Sequence, residues 1–444
     1  MINFLLIHTP LLYFTQSLWR DEAYSILLAQ RPISFFFGKL TFEPPLYYIL
    51  LHVWMKLFGT TEIAARSLSL FAFAAATIVV IVWAEKLFKH HWLSWFLPLT
   101  FFANPQLAYY AFEVRTYGWY VFFAILAMYG YLEKKWRLFV AASVLGFYTH
   151  AFFVFLPATS LLHYLIIHHR SIGIRRSLIA NPMVQSLVAI GLLITPWLLI
   201  ILRASSKLNS SWYYPVNFNL VQSVLGNMFF GYEGTPGFLW PVTAGVSFIL
   251  ALLFLWALKS REKRSRNLFF FLIVLIPLAT VIGVSFVKPI FVNRYLIFVT
   301  IAEVFLIAFA IETIKSRTLK RAVGFFIVAM LTSANLWFPQ FHKKVDMRRT
   351  FAQINTLASE GDVVYAKTPL ILFESMYYSK HPNRVFLYNP HESPFPWYVG
   401  DALPIHMATT LPSYPARAFL VNEDGSFMVL FQTDVINAYQ KSRR

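Results

Sequence analysis

The chain of 444 residues contains no cysteine, so disulfides, thiolate chemistry and cysteine-based metal sites are all excluded. Charge is scarce too: 13% of residues are charged, with 20 acidic side chains against 38 basic ones. An average soluble domain carries roughly twice that share, so an ordinary soluble enzyme is ruled out. Intrinsic disorder fails equally, because 58% of the chain is apolar. There is no glycine-rich phosphate loop, no nucleophile elbow and no His/Asp/Glu set with metal spacing. No internal repeat and no low-complexity segment occurs.

What the sequence does have is phenylalanine, 46 of them, and a mean hydropathy of +0.57. The apolar residues fall in runs of about twenty, the length that crosses ~30 Å of hydrocarbon. Eleven spans are expected, at about 2–18, 63–84, 92–110, 117–132, 138–149, 150–167, 184–203, 237–258, 267–287, 295–312 and 321–338. The fifth and sixth form one long run broken at Tyr148-Thr149-His150. This is the pattern of a polytopic α-helical membrane protein. A net charge of +18 in such a chain points to lipid phosphates and the anionic inner leaflet, not to nucleic acid. The run Ile2 to Leu18 has no Lys or Arg before it and no small-residue cleavage site, so a retained first span is expected rather than a cleaved signal.

Alternate loops concentrate Lys and Arg: Lys86 and Lys89, then Lys134 to Arg137, Arg170 to Arg176, Lys259 to Arg266 and Lys315 to Arg321. The positive-inside rule places these five loops in the cytoplasm and the opposite ones outside. His90, His91, His168 and His169 sit in the same basic loops and read as solvated or interfacial. The expected domains are a transmembrane part, 1–338, and an extracytoplasmic part, 339–444. In the first outer loop, 19–62, segments 21–30 and 45–58 read as amphipathic helices on the membrane surface. In the tail, 362–366, 384–388, 416–421 and 426–431 read as strands, and 347–359 and 370–379 as helices. A small α/β domain is expected there.

Several polar groups stand out against this background. Trp19-Arg20-Asp21-Glu22 follows the first span on the outer side. A carboxylate there can take a proton from a hydroxyl; equally, Asp21 is a good helix N-cap. Glu43-Pro44-Pro45 opens an apolar helix, an architectural motif in which Glu43 could also touch ligand. Glu113, Arg115 and Tyr117 cluster in another outer loop, where ionisable groups pair with each other or serve function. His150 lies at the break between spans, and broken backbone at membrane depth lines a cavity or is buried in protein. Lys288 and Arg294-Tyr295 precede the tenth span, either as interfacial anchors or as a clamp for lipid phosphate. Glu303 lies eight residues farther on, ~12 Å deeper at 1.5 Å per residue, where a carboxylate needs a partner or water.

The order of these motifs resembles the bacterial and archaeal family 39 glycosyltransferases, of the C superfamily. These are relatives of protein O-mannosyltransferases and lipid A aminoarabinose transferases. The resemblance runs through the acidic pair Asp21-Glu22, Pro44-Pro45-Leu46-Tyr47-Tyr48, Glu113-Val114-Arg115-Thr116-Tyr117, Tyr148-Thr149-His150 and Arg294-Tyr295-Leu296, and extends to Asp346–Arg349 and Gly361–Val364 in the tail. Many relatives carry His before the paired prolines, where this chain has Glu43. The resemblance implies a transferase that moves a sugar from a polyprenyl-phosphate donor to a hydroxyl of a glycan, lipid or protein on the outer face of the plasma membrane, with inversion. Asp21 would be the base, with Glu22 beside it. Arg294, Arg115, His150 and Lys288 would hold the donor phosphate, and Glu43, Glu113, Tyr117 and Tyr295 would contact substrate. Phosphate leaves without an acid, so no cofactor is called for, a divalent metal being left open. A transporter or flippase of a lipid-linked or anionic substrate, and a module that only binds lipid phosphate, are the rival readings.

Overall fold

The computed structural model describes residues 2–89, 91–169, 181–210, 213, 215–231 and 236–433. His90 and the basic residues Arg170, Arg175 and Arg176 lie outside the described residues. In chain order the helices are α1 (Ile2–His8), α2 (Leu11–Thr15), α3 (Arg20–Ala29), α4 (Ile33–Lys39), α5 (Leu46–Phe58) and α6 (Glu62–Phe88). Then come α7 (Leu93–Phe102), α8 (Pro105–Ala111), α9 (Tyr117–Leu132), α10 (Trp136–Thr149), α11 (Phe155–His168) and α12 (Pro182–Arg203). Next are α13 (Phe218–Phe229), α14 (Trp240–Ala257), α15 (Arg264–Ser285), α16 (Ile297–Glu312) and α17 (Arg317–Trp337). The tail adds α18 (Met347–Leu357), α19 (Leu372–Tyr378) and α20 (Trp397–Gly400), together with five strands. The chain divides into two compact units. One is Met1–Phe14, Leu40–Leu50 and Arg66–Phe341; the other is Thr15–Lys39, Leu51–Ala65 and His342–Arg444.

The first unit is a helical membrane bundle. Seven of its described segments are long and apolar enough to cross a bilayer: Glu62–Phe88, Ala151–His168, Pro182–Arg203, Gly237–Ala257, Arg264–Ser285, Asn293–Glu312 and Arg317–Phe341. The remaining expected spans are shorter, and two are interrupted, at Thr9-Pro10 and at Ala103-Asn104 ahead of Pro105. Proline lacks the N–H that would continue the ladder. At the second break the freed groups find new partners. Asn335 Nδ2 donates to the Ala103 carbonyl at 2.6 Å, and Asn104 Oδ1 accepts from Leu107 N–H at 3.1 Å.

Helix α16 is the hub: every residue from Ile297 to Ile311 is buried, against α7, α9, α14 and α15 among others. Glu303 sits in its middle with no hydrogen-bond partner for either carboxylate oxygen among the described residues. Helix α13, in a stretch read from sequence as loop, lies against α14 so closely that a Cβ on Gly226 would meet the Thr243 carbonyl oxygen at 2.1 Å. Its C-terminal carbonyls are held from inside the bundle. Asn104 Nδ2 donates to Phe229 O at 2.8 Å and Thr300 Oγ1 to Met228 O at 2.9 Å.

The second unit joins residues 15–39 and 51–65 to the tail. Its sheet has the order β3-β2-β1-β4-β5, from β1 (Val363–Ala366), β2 (Val385–Tyr388), β3 (Met407–Ala408), β4 (Ala418–Val421) and β5 (Phe427–Leu430). All neighbours are parallel except β4 and β5, which run antiparallel with Phe419 opposite Val429. The period-2 alternation sends Val364, Ala366, Val385, Leu387, Phe419 and Val421 to one face, where Met347, Phe351 and Ile354 of α18 cover them. Tyr365, Ala418 and Leu420 face the other way. The four strands and two helices expected in the tail are present, and β3 is added. Helix α19 packs on both α18 and α3, and thus carries the tail onto the loop.

Candidate functional site

Within the second unit, α3 begins at an extended Trp19 (φ −106°, ψ 171°), which is therefore the N-cap, and Asp21 and Glu22 occupy the first turn. Asp21 is thus not the cap of its helix. Carboxylates in this turn are favoured by the helix dipole. Asp21 is 8% exposed, and its Oδ1 receives Arg20 Nε at 2.8 Å. Glu22 is fully buried. Its Oε2 receives Lys344 Nζ at 2.9 Å and the Trp19 N–H at 3.3 Å. Lys344 belongs to the segment leading into α18, which is tied to the loop again by Ser17 Oγ donating to Asp346 Oδ1 at 2.9 Å. Glu62 binds both Arg348 and Tyr378. The two acids therefore stand in different settings: Asp21 has a neighbouring arginine, whereas Glu22 is locked into a buried pair.

Glu374, on α19, also faces this turn. Burial pushes its carboxyl up to about 8, and the Asp21 charge adds to the rise while Arg20 and Lys344 oppose it. Its carboxyl faces the Arg20 backbone N–H.

The first unit holds a second cluster. The turn between α8 and α9 carries Glu113, 1% exposed, and Arg115, and α9 opens at the buried Tyr117. Arg115 Nη2 pairs with Glu43 Oε1 at 2.9 Å, and the Tyr48 hydroxyl donates to the same carboxylate. The turn is tied to α6 by Ser69 Oγ donating to Arg115 O at 3.1 Å, and Gly118 allows the close approach, since a Cβ there would lie 2.6 Å from Ser69 O.

At the break between α10 and α11, His150 is extended and its Nδ1 accepts from Phe152 N–H at 3.3 Å, which assigns the ring proton to Nε2. Its ring lies parallel to Tyr120, with centroids 4.9 Å apart and an 11° interplanar angle, and 5.0 Å from the ring of Tyr295. Tyr120 donates to Tyr295 O at 3.0 Å, and the Tyr213 and Tyr295 hydroxyls are 3.3 Å apart. Arg294 is 7% exposed beside them in the turn Asn293–Leu296, and both Arg115 and Arg294 lie within electrostatic range of the His150 ring. The freed Thr149 carbonyl accepts from Thr116 Oγ1 at 2.8 Å. The broken backbone is thus buried in protein.

Of the residues singled out from sequence, Arg115, His150, Arg294, Tyr117 and Tyr295 share one neighbourhood, and Glu43 joins it through Arg115. Lys288 is half-buried in the turn after α15. Asp21 and Glu22 belong to the other unit. Tyr120, Tyr213, Lys344 and Glu374 escaped sequence reading. None of the four stands within a motif, and only the fold brings them to these clusters. Guanidinium forks with tyrosine hydroxyls are suited to a phosphate, since charge-assisted bonds of this kind are the strong ones. Among the described residues, no three His, Asp or Glu side chains come together as a metal ion would require.

No protein-family model matches the chain, and no curated protein matches it by sequence. Solved structures do. The chain is similar to ArnT from Cupriavidus metallidurans in the apo state, with a TM-score of 0.61 and 13% identity over 95% of this chain and 92% of that one. It is also similar to ArnT from the same organism bound to undecaprenyl phosphate, with a TM-score of 0.58, 14% identity and the same coverage. The chain therefore has the fold of the ArnT structures, a polytopic helical membrane protein with a small C-terminal α/β domain, as the family 39 resemblance implied.

Proposed function

We propose that the chain is a membrane glycosyltransferase that takes its sugar from a polyprenyl-phosphate donor on the outer face of the plasma membrane. The observation that carries this reading is the likeness over nearly the whole chain to an ArnT structure that binds undecaprenyl phosphate, in a chain whose buried arginines and tyrosines form a phosphate-compatible cluster. In the reaction, Asp21 takes the proton of the acceptor hydroxyl as its oxygen attacks C1. The C1–O bond to phosphate breaks, the configuration inverts, and the lipid phosphate leaves with the bonding pair. The transition state is oxocarbenium-like, as in glycoside chemistry. Arg294, with Arg115 and His150, stabilises the departing phosphate, whose charge grows in the transition state. Lys288 helps to hold the donor phosphate, and Glu113, Tyr117 and Tyr295 contact substrate. Glu43 orients Arg115 and Glu22 orients α3, so both act through other residues.

Mass spectrometry of lipid that co-purifies with the protein tests the donor: a polyprenyl phosphate or its sugar ester is expected, and phospholipid alone counts against it. Asp21→Asn tests the base. It keeps size and most hydrogen bonding but cannot accept a proton, so turnover should fall roughly 10²–10⁴-fold, the usual share of general-base catalysis. Wild-type turnover by this variant with donor saturating removes Asp21 from the chemistry.

A further inference from the structure

Three successive backbone N–H groups open the acid-bearing helix α3, and none has a partner within the helix ladder. The Leu18 N–H donates to the Tyr378 hydroxyl at 2.7 Å and the Trp19 N–H to Glu22 Oε2, while the Arg20 N–H faces the Glu374 carboxyl. The N-cap residue Trp19 has no side-chain acceptor, unlike the Ser, Thr, Asp or Asn that caps prefer. Two of the three acceptors come instead from one face of tail helix α19, at positions i and i+4. Tyr378 is anchored in turn by donating to Glu62, and Arg348 binds the same carboxylate. Glu374 is 8% exposed, and its Oε2 has no hydrogen-bond partner among the described residues. A buried carboxyl is kept at such a cost only where something depends on it.

We propose that Glu374 is a positioning residue: from the tail domain it caps the first turn of α3 and so fixes where the Asp21 carboxylate stands. The proposal rests on the reading of Asp21 as the base. Asp21 directly follows Arg20, whose N–H faces Glu374 and whose guanidinium Asp21 binds, so a slip of this turn moves both groups together. The charged groups facing Glu374 are Arg20 and Asp21 on α3 and Lys344 in the segment before α18. Burial, helped by Asp21, outweighs the two cations, so at neutral pH Glu374 is a neutral acid whose carbonyl oxygen can accept and which adds no negative charge beside Asp21.

The test uses the full-length protein in lipid nanodiscs with Glu374→Gln, which keeps the acceptor oxygen, and Glu374→Leu, which keeps volume alone. Hydrogen exchange of the peptide covering residues 18–25 reads the cap without any substrate. Release of undecaprenyl phosphate from undecaprenyl-phosphate-linked sugar reads turnover. Glu374→Leu should lose protection in that peptide while α18 and the bundle keep theirs, and its turnover should fall by up to roughly 10²-fold, the effect of a misplacement near 1 Å. Glu374→Gln should restore both at pH 7. Unchanged exchange in Glu374→Leu, or a Gln variant as impaired as the Leu variant, overturns the proposal. If Glu374→Leu fails to fold, stability against pH decides. The folded-state pKa lies above the ordinary carboxyl value, so the stability tied to the proton is complete below the unfolded value and lost as pH rises through about 8. Wild type should therefore lose stability relative to Glu374→Gln between about pH 5 and 9, and parallel curves refute the buried cap. Full turnover by Asp21→Asn would sink the base assignment by itself, while the exchange measurement still judges the cap.

Discussion

Replacing Glu22 by Gln separates a scaffold acid from a catalytic one. Glu22 is shielded from water altogether, and its partner Lys344 keeps only 11% side-chain exposure, at 2.9 Å. The glutamine oxygen still accepts the Trp19 N–H, so the substitution removes charge and little else. It leaves Lys344 buried without its counter-ion, and breaking a buried pair in this way costs about 3–5 kcal/mol. For a folding unit of 150–250 residues, each kcal/mol shifts Tm by about 2–4 °C. A fall of roughly 10 °C is therefore expected for the transition of the second unit, followed by tryptophan fluorescence of the purified protein. Lys344→Met alone should be similarly damaging, because it strands Glu22. The double variant should recover most of the loss, since two neutral side chains of similar length replace the pair. A coupling energy under about 1 kcal/mol in this cycle would refute the reasoning. So would Glu22→Gln that melts like wild type yet has lost turnover, because that pattern belongs to a group engaged in chemistry.

The other expectations concern the bundle. Arg294→Ala should weaken donor binding and slow transfer, and Arg294→Lys should restore only part, since an ammonium lacks the bidentate fork; equal activity of Arg294→Ala and wild type at limiting donor makes this arginine an interface anchor. Gly226→Ala should destabilise the bundle by about 1–3 kcal/mol through overpacking, because its methyl would meet the Thr243 carbonyl; unchanged melting shows that α13 and α14 can part at little cost. Cysteines introduced at Ser379 and Ser260 should label from opposite sides with a membrane-impermeant reagent, and labelling of both from outside shifts the span count by one.

Much of the fold is written locally and is legible for that reason. The tail strands alternate with period 2 and its helices carry their own amphipathic pattern, so β1, β2, β4, β5, α18 and α19 fall where sequence alone puts them. Apolar runs mark the spans, and Pro10 and Pro105 mark where two of them break. Helix α13 escapes such a reading because its run, interrupted by Asn219, Gln222, Ser223 and Asn227, is too short and polar to read as a span. Its polar groups are satisfied by the bundle instead. Arg115, His150 and Arg294 declare themselves because charge beside an apolar span is costly. Lys344 and Glu374 do not, because each sits in a polar tail where charge is ordinary. Their meaning comes from Glu22 and Arg20, more than three hundred residues away in sequence. The N-cap reading of Asp21 fails for a related reason: local preference favours it, but the cap falls earlier, at Trp19, beside the tail's Tyr378.

The hydrogen bonds from the tail to the start of α3 have a consequence for biosynthesis. Leu18 waits for Tyr378, 360 positions later, and Ser17 waits for Asp346, 329 positions later. At elongation rates of about 5–20 residues per second, the acid-bearing segment emerges roughly 15–70 s before its partners exist. Contacts this distant in sequence are also the slowest to close. The segment from Thr15 to Lys39 must therefore lack these two partners while the bundle is inserted, and it gains them only after the last domain has folded. A ribosome that stops early releases a chain with its spans in place and its acidic turn without the tail's partners. Completion of the polypeptide is thus a condition for these long-range bonds, and a prematurely terminated copy in the membrane lacks the tail's partners for Ser17 and Leu18.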